Sequence, residues 1–477
     1  MQPSKIAGSK TRCLDLPYYS DSLLYLARVV ERPYPVMLSS ANSSLGRYDI
    51  LSAAPVALIE ADSQVLDAVD DIAAGIARFT SPDASALATE LPFVSGAIGL
   101  FGYHAGEQLH GITAAKDSRW PAVHAGIYQW ALVQDHHLRR CTLVADAKLD
   151  NSSWRDLQQT FANARASKTR IERDLRVLGE WQNSLPYANY AQRFASLQDY
   201  ILAGDCYQAN LTREFSASYV GDPCTALQDL HAVSKTPFAA FVRRPQADLI
   251  CASPERFISV ENGVALSQPI KGSRPRGSSA SEDATLIAEL VASEKDRAEN
   301  LMIVDLLRND FGKLCKTGSV SVPELFQVQS FSNVHHLVST IRGELPDAAP
   351  KTALSLLAAC MPGGSITGAP KRRAMQIIAE LEPHQRAVYC GALFYLNGDG
   401  KLDSNILIRS LLFDRQRHPD ARQGKVYCWS GGGIVADSNC EEEFAESNYK
   451  VAHLLDALNT PAAHSTPGTK ATQPAKQ

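Results

Sequence analysis

Lys271, in Ser267-Gln268-Pro269-Ile270-Lys271-Gly272-Ser273-Arg274-Pro275-Arg276, stands between an apolar approach and a basic turn. A lysine fixed at such a strand-to-loop edge is a candidate amine nucleophile, because burial or neighbouring positive charge lowers its pKa and leaves free base at neutral pH. Arg274 and Arg276 are the cations that could supply that charge; the alternative is a solvated surface lysine. Two acidic clusters offer other chemistry. In Glu294-Lys295-Asp296-Arg297-Ala298-Glu299-Asn300, helical spacing puts Asp296 and Glu299 one turn apart. In Glu441-Glu442-Glu443-Phe444-Ala445-Glu446 the same relation joins Glu443 and Glu446, with Lys450 on their side. Oxygen ligands without His or Cys suit Mg2+, which keeps several waters and shares its remaining sites with an anionic substrate. Solvated helix faces would read alike, but Glu299 runs straight into the apolar Leu301-Met302-Ile303-Val304.

Two glycine clusters accompany these residues. Trp429-Ser430-Gly431-Gly432-Gly433-Ile434-Val435 places three glycines between a strand and the second acidic helix, where backbone N–H groups could receive a carboxylate or form a plain turn. Met361-Pro362-Gly363-Gly364-Ser365-Ile366-Thr367-Gly368-Ala369-Pro370-Lys371 has the glycine spacing of a phosphate loop but Ala369-Pro370 where Lys-Ser/Thr would be needed, which argues against nucleotide binding. Pro370 suits a helix start. In Val334-His335-His336-Leu337 a histidine could position a substrate hydroxyl or be a strand residue. Glu255, in Ser253-Pro254-Glu255-Arg256, could be a general acid or the partner of Arg256.

The elements that must hold these groups follow from pattern. Short apolar runs broken by turns from Leu23 to about Asp146 predict a sheet-rich N-terminal lobe, and the Arg-rich stretch from Leu149 to Ser184 a helical connector, together residues 1–184. A catalytic unit over 185–459 follows, with a helix at Tyr190–Ala203, a strand from Cys206 to Phe215, helices at Ser281–Leu307 and Pro370–Leu381, and strands Tyr389–Leu396 and Leu402–Leu412 around the hairpin signal Asn397-Gly398-Asp399-Gly400. Residues 460–477, rich in Pro, Ala, Thr and Lys, predict a disordered tail.

At 477 residues, 45% apolar and 21% charged, the chain supports a large core. A net charge of -4 gives no broad basic field for nucleic acid, and no apolar run approaches the ~18 residues of a membrane span. The polar opening leads to an expectation of a cytoplasmic protein whose ten cysteines, without a CxxC pair, are reduced.

Taken together, Asp205-Cys206-Tyr207-Gln208-Ala209-Asn210-Leu211, Ser253-Pro254-Glu255-Arg256-Phe257, Pro269-Ile270-Lys271-Gly272, Ala298-Glu299-Asn300 through Arg308-Asn309-Asp310, Gly364-Ser365-Ile366-Thr367-Gly368-Ala369-Pro370-Lys371 and Gly431-Gly432-Gly433-Ile434-Val435-Ala436-Asp437-Ser438 resemble the chorismate-utilising enzymes. The resemblance covers about Tyr187 to Asp456 in consistent order, and Gly96-Ala97-Ile98-Gly99-Leu100-Phe101-Gly102-Tyr103 resembles the family's other lobe. It implies a single large α/β fold of the α+β type, two-lobed, with packed antiparallel sheets, outer helices and an active site between the lobes. It further implies that Glu299 and Glu446 bind Mg2+ with Glu443 nearby, and that the metal holds the ring carboxylate of chorismate. Arg409 and Lys450 resemble the residues that grip the enolpyruvyl carboxylate, helped by Tyr395 and the backbone around Gly432. His336 and Thr367 would contact substrate near the ring, and Glu255 would protonate the departing hydroxyl.

Two positions distinguish branches of that family. Gln208 stands where the isochorismate and salicylate synthases carry a water-activating lysine, and an amide cannot act as a base. Pro269-Ile270-Lys271-Gly272 replaces the Pro-Ile-Ala-Gly usual in the anthranilate-forming branch and is similar to the branch that makes 4-amino-4-deoxychorismate for 4-aminobenzoate and folate synthesis, in which this lysine forms a covalent adduct. Anthranilate formation is the alternative, and a non-catalytic chorismate-fold binding protein the alternative from another class. No Gly-x-Cys-x-Gly nucleophile turn occurs, so the resemblance implies a separate glutamine amidotransferase subunit as the ammonia source. Leu38-Ser39-Ser40 with Gly46-Arg47-Tyr48 loosely resembles a tryptophan-binding segment.

Overall fold

Alternation of side chains builds the protein. In strand Phe238–Arg244, Phe241 and Val242 enter different buried clusters, and in Ala247–Ser253 Leu249 and Ile250 do the same, as a period of two requires of a strand buried on both faces. The computed structural model describes residues 11–40, 46–81, 90–113, 117, 119–162, 174–234, 236–330, 334–415 and 422–459; the expected tail at 460–477 lies outside them. The described strands form two antiparallel sheets. The first, of twelve strands, runs Arg12–Leu16, Arg140–Ala145, Trp130–Asp135, Tyr48–Ser52, Val36–Ser39, Phe238–Arg244, Ala247–Ser253, Ser410–Asp414, Gln423–Ile434, Gln208–Val220 and Gly368–Ala369, with Arg176–Asn183 also on Gln208–Val220. The second, of ten, runs Ile270–Pro275, Val334–Glu344, Val264–Ser267, Arg256–Glu261, Leu402–Ile406, Ala392–Asn397, Gly96–Phe101, Val123–Tyr128 and Ala57–Ala61, with Ser321–Ser330 also on Val334–Glu344.

Both sheets draw strands from both halves of the chain. Val36–Ser39 pairs with Phe238–Arg244 in the first, and Gly96–Phe101 with Ala392–Asn397 in the second. The sheets pack on each other through one core that takes Val242 and Leu249 from the first and Val260 and Leu402 from the second. The outer face of the first sheet is covered by helices Asn151–Ala162, Ala226–Val233 and Cys440–Asn459, through Phe161, Leu230 and Leu454. Helices Tyr187–Leu202 and Lys371–Leu381 pack Phe194 and Ile378 against Leu211 and Ile434.

Three elements differ from their pattern. The apolar run Leu402–Leu412 is two strands in different sheets, Leu402–Ile406 and Ser410–Asp414; the chain crosses between them with Arg409 in the left-handed region at φ 51°. The run Ser281–Leu307 is two helices, Ala280–Ala292 and Glu294–Gly312, because the Ser293 hydroxyl accepts the Asp296 N–H at 3.2 Å and starts a new helix. The connector is helical over Asn151–Ala162, but Arg176–Asn183 is a strand whose exposed edge position keeps polar side chains. The hairpin at Asn397-Gly398-Asp399-Gly400 forms, with Gly400 at φ 82° donating its N–H to the Asn397 carbonyl at 3.1 Å. All ten cysteines are free thiols. Among the described residues no helix is long and apolar enough to cross a membrane.

Candidate active site

Lys271 lies on the edge strand of the second sheet, where the pairing of Ile270–Pro275 with Val334–Glu344 slips between Ile270 and Ser273. The extra residue is a bulge, a device that re-aims a side chain out of the ladder. Gly272 completes it at φ 84°, and a Cβ there would lie 2.9 Å from the Cβ of Asp296 and 3.0 Å from Leu290, so glycine lets helix Glu294–Gly312 close over the strand. Lys271 is half-buried and donates from Nζ to the Ser365 carbonyl at 3.3 Å. Burial pushes its pKa down; Glu255, Glu299 and Glu446 oppose that shift, and Lys450 reinforces it. Arg274 and Arg276 are not among the main causes of the shift; Arg274 pairs with Asp296 at 3.2 Å and Arg276 with Asp283 at 2.8 Å.

Ser365 sits in the short 3-10 turn Gly364–Ile366 and faces two ways. Its carbonyl holds Lys271, and its hydroxyl donates to Glu255 Oε1 at 3.1 Å. Glu255 is buried, and burial pushes its pKa up against Lys271, Ser365 and Arg409. Arg256 turns the other way to Asp403, at 2.9 Å, so Glu255 is not engaged by its neighbour in sequence. A buried carboxyl that tends to keep its proton, beside an amine that tends to lose one, is an acid and nucleophile arrangement.

Three carboxylates converge from two helices. On Glu294–Gly312, Asp296 is occupied by Arg274, which leaves Glu299; burial raises its pKa, and Asp296 and Glu446 add to the rise while Lys271 and Lys295 oppose it. On Cys440–Asn459, Glu443 is raised by burial and by Glu446, while it accepts the Ser438 hydroxyl at 2.8 Å. Glu446 pairs with Lys450 at 2.7 Å, and Lys450 also donates to the Gly431 carbonyl at 3.0 Å. Gly432 makes room for this group, since a Cβ would come within 2.7 Å of Glu443 Oε2. Among the described residues no three His, Cys, Asp or Glu side chains form a ready-made metal cage. Carboxylates from two helices in which the charge of Glu446 opposes ionisation of Glu299 and Glu443 fit instead a hard cation that takes one or two protein oxygens and completes its shell with water and substrate.

Arg409, half-buried at the crossover between the sheets, makes no side-chain hydrogen bond or ion pair among the described residues, and its nearest carboxylate influence is Glu255. Such a guanidinium is suited to an incoming carboxylate. His336 shares a 2.7 Å hydrogen bond between Nδ1 and the Ser273 hydroxyl, and burial, with Arg409 and His335, pushes its pKa down to about 4. It is neutral at ordinary pH. His335 is instead tied to Asp283 and Ser330 at 2.9 and 2.8 Å, a structural role. Thr367 is buried, its hydroxyl donating to the Gly363 carbonyl at 2.8 Å and its own carbonyl accepting the Asn210 N–H at 2.7 Å. Gln208 is fully buried, and neither polar atom of its amide has a hydrogen-bond partner among the described residues. Its Nε2 would meet a Cβ on Gly433 at 2.4 Å.

Tyr395 is the expected site residue that the structure does not bring to this group. It pairs in register with Asp403, its charged neighbours are Asp403, Arg256 and Glu261, and its ring meets Phe93. Strand alternation places it on the Arg256 face of the second sheet, opposite Phe257, which packs toward Gly363. Residues that sequence spacing did not single out include Ser365 as the link between Lys271 and Glu255, Asn300, which accepts the Ser339 hydroxyl at 2.6 Å, and Arg386. A charged Glu382 and Arg386 four apart beyond an amphipathic helix was the available signal.

Residues 35–456 match the family described as chorismate binding enzyme. The chain belongs to that family. It is 39% identical over 466 residues to aminodeoxychorismate synthase component 1 of Salmonella typhimurium, covering 93% of this chain and 98% of that one. It is 38% identical over 450 residues to the protein of the same name from Escherichia coli, covering 91% and 95%. Among solved structures, anthranilate synthase component I from Streptococcus pneumoniae superposes with a TM-score of 0.74 at 30% identity, over 87% of this chain and 93% of that one. The description of that family names chorismate as what its members bind.

Proposed function

We propose that the chain is the chorismate-aminating component of an aminodeoxychorismate synthase, forming 4-amino-4-deoxychorismate from chorismate and ammonia for 4-aminobenzoate and folate synthesis. The observation that carries the reading is Lys271, the lysine of Pro-Ile-Lys-Gly, with its amine held at the Ser365 carbonyl and its pKa lowered by burial. Near-full-length identity to two proteins named for that activity supports it.

Arg409 and Lys450 take the enolpyruvyl carboxylate. Glu299 and Glu446, with Glu443 beside them, would hold Mg2+, which would supply positive charge to the ring carboxylate and favour charge development on the ring. The free amine of Lys271 forms a bond to ring carbon 2, both conjugated ring double bonds shift round the ring towards carbon 4, and the carbon 4 hydroxyl leaves as water with the proton of Glu255. Ammonia then bonds to carbon 4, both double bonds shift back, and the Lys271 amine departs from carbon 2 as the leaving group. His336 and Thr367 line the ring, and the Gln208 amide has no capacity to deprotonate water, which disfavours hydroxylation. Ammonia comes from a partner component, a glutamine amidotransferase subunit.

Product identity tests the reading. Chorismate with ammonium should give 4-amino-4-deoxychorismate, convertible by a lyase to 4-aminobenzoate, with little 2-aminobenzoate. Chorismate alone should give a covalent mass on the Lys271 peptide that Lys271→Ala abolishes. Release of mainly 2-aminobenzoate by the unaltered chain would establish anthranilate synthesis instead.

A further inference from the structure

Arg386 is buried in the core with an ion pair of its own: Nη2 and Nε meet Glu382 at 2.7 and 2.9 Å. Glu382 is anchored in turn, accepting the Thr212 N–H and hydroxyl at 2.8 and 2.7 Å. A buried pair of this kind is weak as a source of stability, since the desolvation of two ions offsets much of their attraction and apolar replacements often serve as well. What distinguishes Arg386 is the use of its other donors. Nη1 donates to the Ile366 carbonyl at 3.0 Å, and Nη2 to the Asn210 carbonyl at 3.2 Å.

Those carbonyls belong to the two backbone segments that carry the site. Ile366 follows Ser365, whose carbonyl holds the Lys271 amine and whose hydroxyl holds Glu255. Asn210 is two residues from Gln208 and donates its N–H to the Thr367 carbonyl at 2.7 Å, so the segments are already joined once. The guanidinium fork adds a second clamp and removes the freedom of the 3-10 turn to rotate about that single bond. A planar group with diverging donors does this; a lysine reaches one carbonyl at a time. The guanidinium also lies over the ring of Tyr103, 4.6 Å from its centroid, which fixes the plane of the fork.

We infer that Arg386 is a positioning residue for the reaction, which sets the Ser365 turn against the Gln208–Asn210 strand and so fixes the distance between the Lys271 amine and the Glu255 carboxyl. The inference deepens the reading of Lys271 as nucleophile and rests on it. A misplacement of about 1 Å at reacting groups costs on the order of 100-fold in rate without a matching loss of ground-state binding.

The test compares two variants with a control. Glu382→Gln/Arg386→Met removes both buried charges and leaves an acceptor for Thr212; Arg386→Lys keeps the pair and loses the fork. The control Arg243→Met breaks the buried pair between Arg243 and Asp248, at 3.0 Å, which touches neither site segment. Chorismate consumption with saturating ammonium is measured per folded molecule, with folding followed by circular dichroism. Both site variants are expected to lose about 100-fold in kcat with a KM for chorismate close to the original, while the control lowers the melting temperature and keeps kcat. Should the double variant not fold, Arg386→Lys alone decides. Unchanged kcat in a folded Arg386 variant, or a loss that tracks only the folded fraction, makes Arg386 a purely structural residue and overturns the inference. Because the readout is chorismate loss, it stands apart from product identity, on which the Lys271 reading fails or survives.

Discussion

Lys271 and Glu255 meet on a single residue, Ser365, whose carbonyl receives the lysine amine at 3.3 Å and whose hydroxyl is donated to the carboxyl at 3.1 Å. The two ionisable groups come from different strands of the second sheet, Ile270–Pro275 and the approach to Arg256–Glu261. Their opposed shifts, the amine down and the carboxyl up, share burial as the main cause, and the charge of each partly offsets the shift of the other.

The pH dependence of adduct formation follows from those directions. Measured in single turnovers without ammonia, so that ammonia's own protonation does not enter, the rate should rise as pH climbs through the lowered Lys271 pKa and fall as it climbs through the raised Glu255 pKa. Glu255→Gln, which has no proton to give, should slow the step by roughly 10²- to 10⁴-fold and remove the alkaline fall. An alkaline fall that persists in this variant assigns the acid elsewhere.

Glu299→Gln and Glu446→Gln should each reduce turnover by on the order of 10²- to 10³-fold and raise the Mg2+ concentration needed for half-maximal rate, with chelator abolishing activity in the unaltered chain. Melting temperatures should change little or rise, because both variants relieve repulsion among Glu299, Glu443 and Glu446. Full turnover in excess chelator is the result that removes the metal from the reading.

Local pattern made parts of this legible. Alternation and helical spacing give most of the strands and the helices Tyr187–Leu202 and Lys371–Leu381, and motif order groups Glu255, Lys271, Glu299, Glu446 and Lys450, which the fold brings within electrostatic reach of Lys271. What pattern could not give is which strand pairs with which. The expected connector includes the edge strand Arg176–Asn183, because an exposed strand needs no apolar face, and Leu402–Leu412 looks continuous because both of its sheets bury apolar residues. The same gap explains Tyr395, placed by motif and set by register on the Arg256 face. Arg274 and Arg276 lie near Lys271 in sequence, but acids from two helices take their charge.

His336 predicts an acid-sensitive fold. Its folded-state pKa is pushed from 6.5 down to about 4, so the unfolded chain takes up a proton first as pH falls. This contribution to stability is complete above pH 6.5 and is lost progressively between 6.5 and about 4. Denaturant unfolding at pH 7 and pH 5 should show a smaller drop for His336→Asn than for the unaltered chain. An equal drop in both proteins assigns the acid sensitivity to other groups.

The need for a partner component predicts nitrogen-donor behaviour. The chain alone should use ammonium salts, faster at high pH where more NH3 is free, and should ignore glutamine until an amidotransferase subunit is added. Glutamine-driven turnover by the purified chain, after contaminating glutaminase is ruled out, contradicts the two-component reading.

One substitution made at two glycines should have two different outcomes. At Gly368, φ is 154° and an added Cβ would lie 2.0 Å from the Gln208 carbonyl oxygen, backbone against backbone in the pairing of Gly368–Ala369 with the start of Gln208–Val220. Neither strand can yield without losing that pairing, so Gly368→Ala should cost about 3 kcal/mol or more of stability. At Gly432 the obstruction is the tip of Glu443, with Oε2 at 2.7 Å, and a side chain can rotate away. Gly432→Ala should therefore melt near the unaltered temperature while displacing Glu443 from Ser438 and from the other carboxylates. It should raise the half-saturating Mg2+ concentration more than the KM for chorismate. Denaturation curves with Mg2+ titrations of both variants separate the cases; a Gly432→Ala protein with unaltered Mg2+ dependence places Glu443 outside the metal's reach.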